Sequence, residues 1–287
     1  MANPFEAFAF QAGARPAAAA AAAAPRGRPA AGAAVRPAKR ARTDQEFPSP
    51  PGGLPEKLGD APLRLMLVGH NPSEHAWMSG HYYSNPGNHM WRILSAVGIA
   101  PPASGPAADD ALPAGAGVGF TDVGAGQPGT DSSGFTSADF QRWRAGFYAR
   151  LAAHARRASA SIGCACGACG APALVAFTGK RHYVELLNLG DAGALRGAAR
   201  TASSAVALGP QPPGALPPGW PLPRDTEVWV LSSTSGASAL TNQQRAAPYE
   251  ALAQRLAQLP WPRTDIVLRC GGGSGGGQRD ASDADGG

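Results

Sequence analysis

The 287-residue sequence lacks an apolar run long enough to cross a membrane, outside an Ala/Pro/Gly-rich segment near its N-terminus. Prolines and arginines interrupt that segment, which makes it unsuited to a bilayer span. The sequence also lacks the glycine patterns of a P-loop or of a dinucleotide-binding site. We therefore expect a soluble protein that needs no membrane and no organic cofactor.

Cysteine is scarce, with four in the chain, and three of them form the segment C-A-C-G-A-C at Cys164, Cys166 and Cys169. One interpretation is a metal or iron–sulfur site completed by Cys270. The other is a surface insert of small residues with reduced thiols. Because the spacing does not give paired C-x-x-C motifs, the insert is favoured and no metal is expected. The lack of a disulfide framework fits a reducing compartment.

Both ends of the chain lack regularly spaced apolar residues. Residues 1–61 are rich in Ala, Pro and Arg, and residues 271–287 are mostly Gly, Ser and Asp. Such segments cannot offset the entropy lost on ordering, which predicts disordered tails over residues 1–61 and 266–287. Residues 62–265 are then one folded domain. The formal net charge of +5 is compatible with a DNA partner but does not require one.

Four short apolar runs predict buried strands at residues 63–68, 118–123, 173–177 and 227–231. Helical patterns follow each of them, at residues 88–97, from Thr136 onward, at 180–189 and at 249–259. Thr136 with Asp139 is a capping-box pattern. This alternation predicts an α/β fold, a three-layer α/β/α sandwich with a mainly parallel four-stranded sheet. Its ligand crevice should lie beyond the carboxyl ends of the strands. Residues 192–224 are predicted to be a surface insertion.

The loop after the first predicted strand is unusually dense in polar and aromatic residues. Residues 69–92 read G-H-N-P-S-E-H-A-W-M-S-G-H-Y-Y-S-N-P-G-N-H-M-W-R. This segment resembles the first active-site motif of the thymine-DNA glycosylase and mismatch-specific uracil-DNA glycosylase family. Weaker matches follow in the family's order at residues 117–122, 176–180 and 230–236. The resemblance extends over about residues 62–260.

The resemblance implies a uracil-DNA glycosylase-like α/β sandwich and a monofunctional DNA glycosylase. Its substrate would be double-stranded DNA with uracil, or thymine, in a G·U or G·T mismatch, and its reaction would start base-excision repair without a cofactor. Two alternatives remain: a uracil-DNA glycosylase that also acts on single strands, and a catalytically silent DNA-binding relative. A silent relative would be free to lose Asn71, Tyr83 and Asn88, which are all present.

Residue roles follow from the chemistry of base release. The target base must be flipped into a pocket, where Tyr83 would stack on it and Asn88 would bind its edge, although Asn88 also suits a helix N-cap. Asn71 cannot act as a strong base, but its amide oxygen can position a water, with help from Thr121. The resemblance makes Ala76 a pocket wall. Main-chain N–H groups at His70 would stabilise the departing base.

DNA contacts are expected from the second active-site motif and from one lysine. Departures from the family pattern are Ser73, Ser232 and Ala237, and Ala237 is too small to fill the space of a flipped base. A neighbour in the loop at residues 232–248 would take that wedge role, with Leu240 as the apolar candidate and Arg245 as the polar one. The predicted DNA-binding residues are Lys180, Ser233, Ser235, Gly236, Leu240 and Arg245.

Localisation is predicted from the N-terminal segment. Residues 37–42, P-A-K-R-A-R, are a short basic cluster typical of nuclear import signals. The alternative is a transit peptide for the mitochondrion or plastid, since this end is rich in arginine and poor in acidic residues. Transit peptides are usually also rich in serine, and no serine precedes Ser49. The nucleus is therefore favoured.

Overall fold

The computed structural model describes residues 53–190, 193–268 and 270. The predictions for residues 1–52, including the basic cluster at 37–42, and for residues 271–287 lie outside this part of the chain. None of the helices within it is both long and apolar enough to span a membrane.

The central sheet has four parallel strands and one short antiparallel edge strand. The strands are β1 (Leu65–Gly69), β2 (Val118–Asp122), β3 (Leu174–Phe177), β4 (Leu189–Gly190), β5 (Gly193–Ala194), β6 (Gly209–Pro210) and β7 (Glu227–Val230). The strand order in the central sheet is β2-β1-β3-β7-β6, in which β1 pairs in parallel with β2 and β3, and β3 pairs in parallel with β7. The four strands predicted from the apolar runs are all present, so the mainly parallel sheet is confirmed.

Within the described residues, six α-helices connect or flank the strands. The predicted capping box is present, because Thr136 and Asp139 form reciprocal hydrogen bonds at the N-terminus of the helix Ser137–Ser161. The last helix begins seven residues before the predicted start, because Thr241 and Gln244 form a second capping box. The helices are α1 (Glu74–Ser79), α2 (Met90–Ala96), α3 (Leu112–Ala116), α4 (Ser137–Ser161), α5 (Lys180–Leu187) and α6 (Asn242–Leu256).

Successive side chains of β1 point to two separate hydrophobic cores, one on each face of the sheet. Leu65 and Leu67 pack into one cluster with residues of α2 and α6, whereas Met66 and Val68 pack into another with residues of α4 and α5. Successive side chains of a strand point to opposite faces of a sheet, so a strand that is apolar throughout is buried on both sides. This arrangement confirms the three-layer α/β/α sandwich.

The folded domain includes residues that the sequence assigned to the N-terminal tail. Leu54 is buried in the core beside α2, and Leu58 is buried in the core beside α4. Between them, Lys57 exchanges main-chain hydrogen bonds of 3.0 and 2.8 Å with Phe120 of β2. The predicted boundary at residue 62 is therefore wrong, because two leucines among prolines and charges give too weak a local pattern to predict burial.

The segment predicted as a surface insertion is only partly external. Among the described residues 193–224, Gly209–Pro210 adds β6 to the edge of the sheet, and Val206 and Leu222 are buried in the core beside α4. The prediction failed because glycine and proline dominate this segment and hide its few core residues.

Leu58→Ala tests whether this N-terminal segment belongs to the folded domain. Removal of a buried leucine side chain should lower the free energy of unfolding by about 2–4 kcal/mol, measured by urea denaturation. Leu208→Ala is the matched control, since Leu208 is 39% exposed and should cost under about 1 kcal/mol. Equal effects of the two changes would show that Leu58 is not part of the core.

Candidate active site

A cavity of about 540 Å³ opens at the carboxyl ends of the four parallel strands. Every loop that follows one of these strands contributes to its lining. The lining residues belong to 70–88 after β1, to Asp122 at the end of β2 and 129–132 after it, to 178–182 after β3 and to 233–237 after β7, with Leu54 beside them. Its volume falls within the usual range for small-molecule pockets, roughly 300–1,000 Å³. The predicted position of the crevice is correct.

The loop after β1 folds around a short helix that the sequence did not predict. Ser73, which replaces the family's usual glycine, accepts a hydrogen bond of 3.1 Å from the main-chain N–H of Ala76 and so caps α1. Gly80 ends α1 in the left-handed conformation, with φ of +74°. Ala76 is buried and lines the cavity, as predicted for a pocket wall. Ser73 therefore stabilises the loop.

The side-chain amide of Asn71 is held in one orientation at the cavity. Its Nδ2 lies 2.9 Å from each of three carbonyl oxygens, those of Pro72, Gln127 and Gly129. An NH₂ group has two hydrogens to share among them, and an amide oxygen in that place would be repelled. The Oδ1 atom must therefore face the other way, where it lies 2.7 Å from Nδ1 of His70.

His70 is a neutral imidazole at physiological pH. Desolvation by burial is the largest cause that lowers its pKa, to about 4. Its ring lies among those of Phe135, Phe140 and Trp143, with centroids 5.0–5.8 Å away. Because the Asn71 oxygen only accepts, Nδ1 of His70 carries the hydrogen that it donates. His70 thus orients the amide oxygen of Asn71, and the second lone pair of that oxygen remains available to accept another hydrogen bond.

Tyr83 and Asn88 both line the cavity, as predicted. Tyr83 is half-buried, has a φ of +54°, and places its hydroxyl 3.0 Å from Oγ1 of Thr178 after β3. Burial raises the pKa of Tyr83 well above its usual value, so the hydroxyl stays protonated. Asn88 accepts a 2.9 Å hydrogen bond from the main-chain N–H of Met90 at the start of α2. The N-cap residue of α2 is His89, so the predicted N-cap role of Asn88 is wrong, whereas its place in the cavity lining is compatible with the pocket role.

Thr121 does not reach the cavity, so the prediction that it helps to hold a water is wrong. Its side chain is fully buried and donates to the carboxylate of Glu56, which also pairs with Arg150 at 2.9 Å. The next residue, Asp122, points to the opposite side of β2 and lines the cavity. The sequence contains both polar residues at the strand end, but only the orientation of the strand decides which one faces the pocket.

Asp122 is the pocket residue that sequence reasoning missed. It is 3% exposed, and desolvation by burial raises its pKa to about 7, with Glu56 raising it further and Arg150 opposing the shift. A carboxyl group with this pKa exchanges its proton near neutrality. Gly69 makes room for it, because a Cβ atom at that position would lie 1.9 Å from Oδ1 of Asp122 and 2.9 Å from the Tyr83 hydroxyl oxygen.

The loop after β7 closes the cavity from the other side. Ser233, Ser235, Gly236 and the exposed Ala237 line it. The main chain of this loop approaches the first motif closely, since a Cβ atom on Gly236 would lie 2.5 Å from the carbonyl oxygen of Gly87. The N–H of His89 also donates to the carbonyl of Thr234 at 2.9 Å. The two predicted motifs therefore form one continuous wall.

Comparison with protein families agrees with this geometry. The model of the uracil DNA glycosylase superfamily matches residues 56–257. The chain belongs to the uracil-DNA glycosylase superfamily. Membership indicates a DNA glycosylase, a hydrolase of DNA repair that acts on uracil, and it fits a pocket lined by the two motif loops.

Lys180, which the sequence predicts to contact DNA, lines the cavity. It starts α5, is half-exposed at the cavity, and pairs with no acidic group in the described ranges. Other candidate arginines are engaged within the protein: Arg142 pairs with Asp139, Arg144 donates to the carbonyl of Leu189, and Arg181 donates to the carbonyls of Ser132 and Phe135.

Arg245 is not a DNA wedge, which corrects its prediction as a DNA-binding residue. It lies within α6, is 3% exposed, and donates to the carbonyls of Ser233 at 3.3 Å and Ser238 at 3.1 Å. The long loop expected at residues 232–248 is shortened by the early start of α6. Arg245 therefore supports the second motif loop from behind, and the half-buried Leu240 is left as the candidate for the wedge.

Substitution of Arg245 and of Leu240 distinguishes a residue that supports the loop from one that inserts into the DNA. Arg245→Ala should reduce single-turnover base release on duplex G·U and on single-stranded uracil alike, by about tenfold or more, because it leaves two loop carbonyls unsatisfied. Leu240→Ala should reduce activity on the duplex alone. Gln243→Ala, an exposed change in the same helix, should alter neither. Selective loss of duplex activity in Arg245→Ala would contradict this assignment.

Proposed function

We propose that this superfamily member is a monofunctional, mismatch-directed uracil-DNA glycosylase, similar to the thymine-DNA and mismatch-specific uracil-DNA glycosylases. The observation that carries the proposal is the fixed amide of Asn71 at the pocket. An amide oxygen positions water but takes up no proton, so the enzyme depends on a substrate that already has a good leaving group. Uracil in a weakened G·U pair satisfies that requirement better than thymine does.

The target pyrimidine leaves the duplex and enters the cavity between the motif loops. Flipping costs a few kcal/mol, and least for a mispaired base. Tyr83 provides an aromatic surface whose position is set by its bond to Thr178, and Asn88 offers amide groups to the edge of the base. Leu240 is our proposed wedge. Lys180, Ser233 and Ser235 then bind phosphates on either side of the flipped nucleotide.

Bond cleavage gives an oxocarbenium-like sugar and a pyrimidine anion. The Asn71 oxygen, oriented by His70, accepts a hydrogen bond from a water and holds it for attack on the sugar carbon. The base departs with the bonding electron pair, and the main-chain N–H groups at His70 and Asn71 stabilise that charge. Water then delivers its oxygen to the sugar, loses a proton to solvent, and leaves an abasic site.

Asp122 is a second residue of the pocket that can select uracil as the substrate base. In its neutral form a carboxylic acid offers one donor and one acceptor, which matches the alternating acceptor and donor groups on the edge of uracil. In its ionised form it offers acceptors alone and repels the departing anion. We therefore propose that the neutral form of Asp122 is the active one.

A panel of duplexes tests the proposed function directly. Purified protein should release uracil from G·U faster than thymine from G·T, and both faster than uracil from A·U, as measured by alkali cleavage of abasic sites. Asn71→Ala should reduce the G·U rate by at least about 10²-fold and retain affinity for DNA containing an abasic-site analogue. Gln243→Ala, outside the cavity, is the control.

Two outcomes would favour the rival functions. If the rates on A·U and on single-stranded uracil equalled the rate on G·U, the protein would be a general uracil-DNA glycosylase. DNA binding without release of any base would indicate a silent relative. Near-normal activity of Asn71→Ala would contradict the mechanism itself.

The pH dependence tests the role of Asp122. Since the folded-state pKa is raised to about 7, the neutral form predominates below that pH and is lost above it. The single-turnover rate on G·U should therefore fall as the pH rises through 7, approaching roughly tenfold per pH unit. Asp122→Asn, which cannot ionise, should remove this decline. An unchanged decline in Asp122→Asn would assign the titration to another group.

A further inference from the structure

The four cysteines of the chain converge far from the motif loops, before the amino end of β3. Cys164, Cys166 and Cys169 lie in the loop between α4 and β3, and Cys270 reaches them from the C-terminal segment. Cys164 and Cys169 are buried, so the interpretation as an exposed insert is wrong for these two. The sequence separates Cys169 from Cys270 by about 100 residues, and only the fold brings them together.

The sulfur atoms have the spacing of ligands to a single ion. All four lie within 4.8 Å of one another. Individual separations are 3.1 Å for Cys164–Cys166, 3.4 Å for Cys166–Cys169, 4.0 Å for Cys169–Cys270 and 2.8 Å for Cys164–Cys270. Four thiolates at about 2.3 Å from zinc in a tetrahedron lie roughly 3.8 Å apart. The observed distances bracket that value, and each exceeds the S–S bond length of about 2.05 Å.

The loop is shaped to present its sulfurs. Between Cys166 and Cys169, Gly167 adopts a left-handed conformation with φ of +71°. This turn directs the main-chain N–H groups of Ala168 and Cys169 at the sulfur of Cys166, at 3.3 and 3.4 Å. Such N–H donors stabilise a thiolate. Gly170 fixes the loop against α4, since a Cβ atom there would lie 2.1 Å from the main-chain nitrogen of Ser159.

Apolar packing does not explain why Cys270 lies at this place. Val267 is 81% exposed and Leu268 is 47% exposed, so the segment that leads to Cys270 buries little apolar surface. Nearer the fold, Arg263 holds the start of the segment by donating to the carbonyl of Leu63 at 3.0 Å. Thiol groups have no strong attraction for one another, whereas four thiolates are strongly attracted to a divalent cation.

We propose that Cys164, Cys166, Cys169 and Cys270 form a structural zinc site that fastens the C-terminal segment to the loop between α4 and β3. Four cysteines leave no open coordination position, as in structural rather than catalytic zinc sites. The short distances favour one ion over a [4Fe–4S] cluster, in which each thiolate binds a different iron and the sulfurs lie farther apart. Zinc binding displaces the thiol protons to solvent, and no oxidant or reductant is required.

Metal content of the full-length protein tests the proposal. Protein purified under reducing conditions without chelator should contain about one zinc per chain by plasma mass spectrometry. After exchange with Co²⁺, it should show the absorption bands of a tetrahedral four-thiolate site. All four cysteines belong to this cluster, so any thiolate signal from the chain reports on it.

Two single substitutions distinguish loss of the zinc site from misfolding of the protein. Cys166→Ser changes the exposed thiol, and Cys270→Ser changes the one in the terminal segment. Each should abolish stoichiometric zinc and lower Tm by several degrees, with a circular dichroism spectrum like that of the parent. His81→Ala is the control, because His81 belongs to a second cluster of potential ligands with Asp109 and Asp110 and should leave the zinc content unchanged.

Several results would overturn the zinc site. One is a metal-free protein that is fully stable and whose four thiols all react with a thiol reagent. Another is a disulfide detected by mass spectrometry. A third is bound iron with the visible absorption of an iron–sulfur cluster. Unchanged zinc in both cysteine variants would also do so. The readouts are metal content and stability, so they are independent of which base the enzyme releases.

Discussion

The hydrogen bonding of β1 between β2 and β3 is the constraint on which the active site depends. Parallel pairing in register brings Gly69 beside Asp122 and Val68 beside Phe177, so three loops start at one edge of the sheet. The loop after β7 joins them because β7 pairs with β3 in the same direction. Without this common direction, residues more than 100 positions apart could not line a single pocket.

Within the pocket, neutrality is maintained by burial and by hydrogen bonds between neighbouring loops. Burial keeps His70 neutral, leaves Tyr83 protonated and brings the pKa of Asp122 close to 7. The fixed amide of Asn71 therefore lies beside groups that are uncharged between about pH 4 and pH 7. Under the proposed function, such a pocket would select uracil by its quality as a leaving group and by the weakness of the pair that holds it.

The cluster of cysteines and the pocket lie at opposite ends of β3, and different interactions stabilise them. The pocket needs loops held at fixed distances, which the two cores on either side of the sheet provide. The terminal segment has few apolar residues to bury. A metal ion can hold such a segment where hydrophobic packing cannot, because four short bonds replace a large buried surface.

Local patterns in the sequence determined the strands, the capping box at Thr136 and the composition of the loop after β1, because each depends on residues a few positions apart. Tertiary structure alone decided that Asp122 rather than Thr121 faces the pocket, since strand orientation is set by pairing across the sheet. It also decided that Arg245 supports a loop from within α6, and that Cys270 meets three cysteines about 100 residues away. Such contacts depend on chain closure and register, which no local pattern contains.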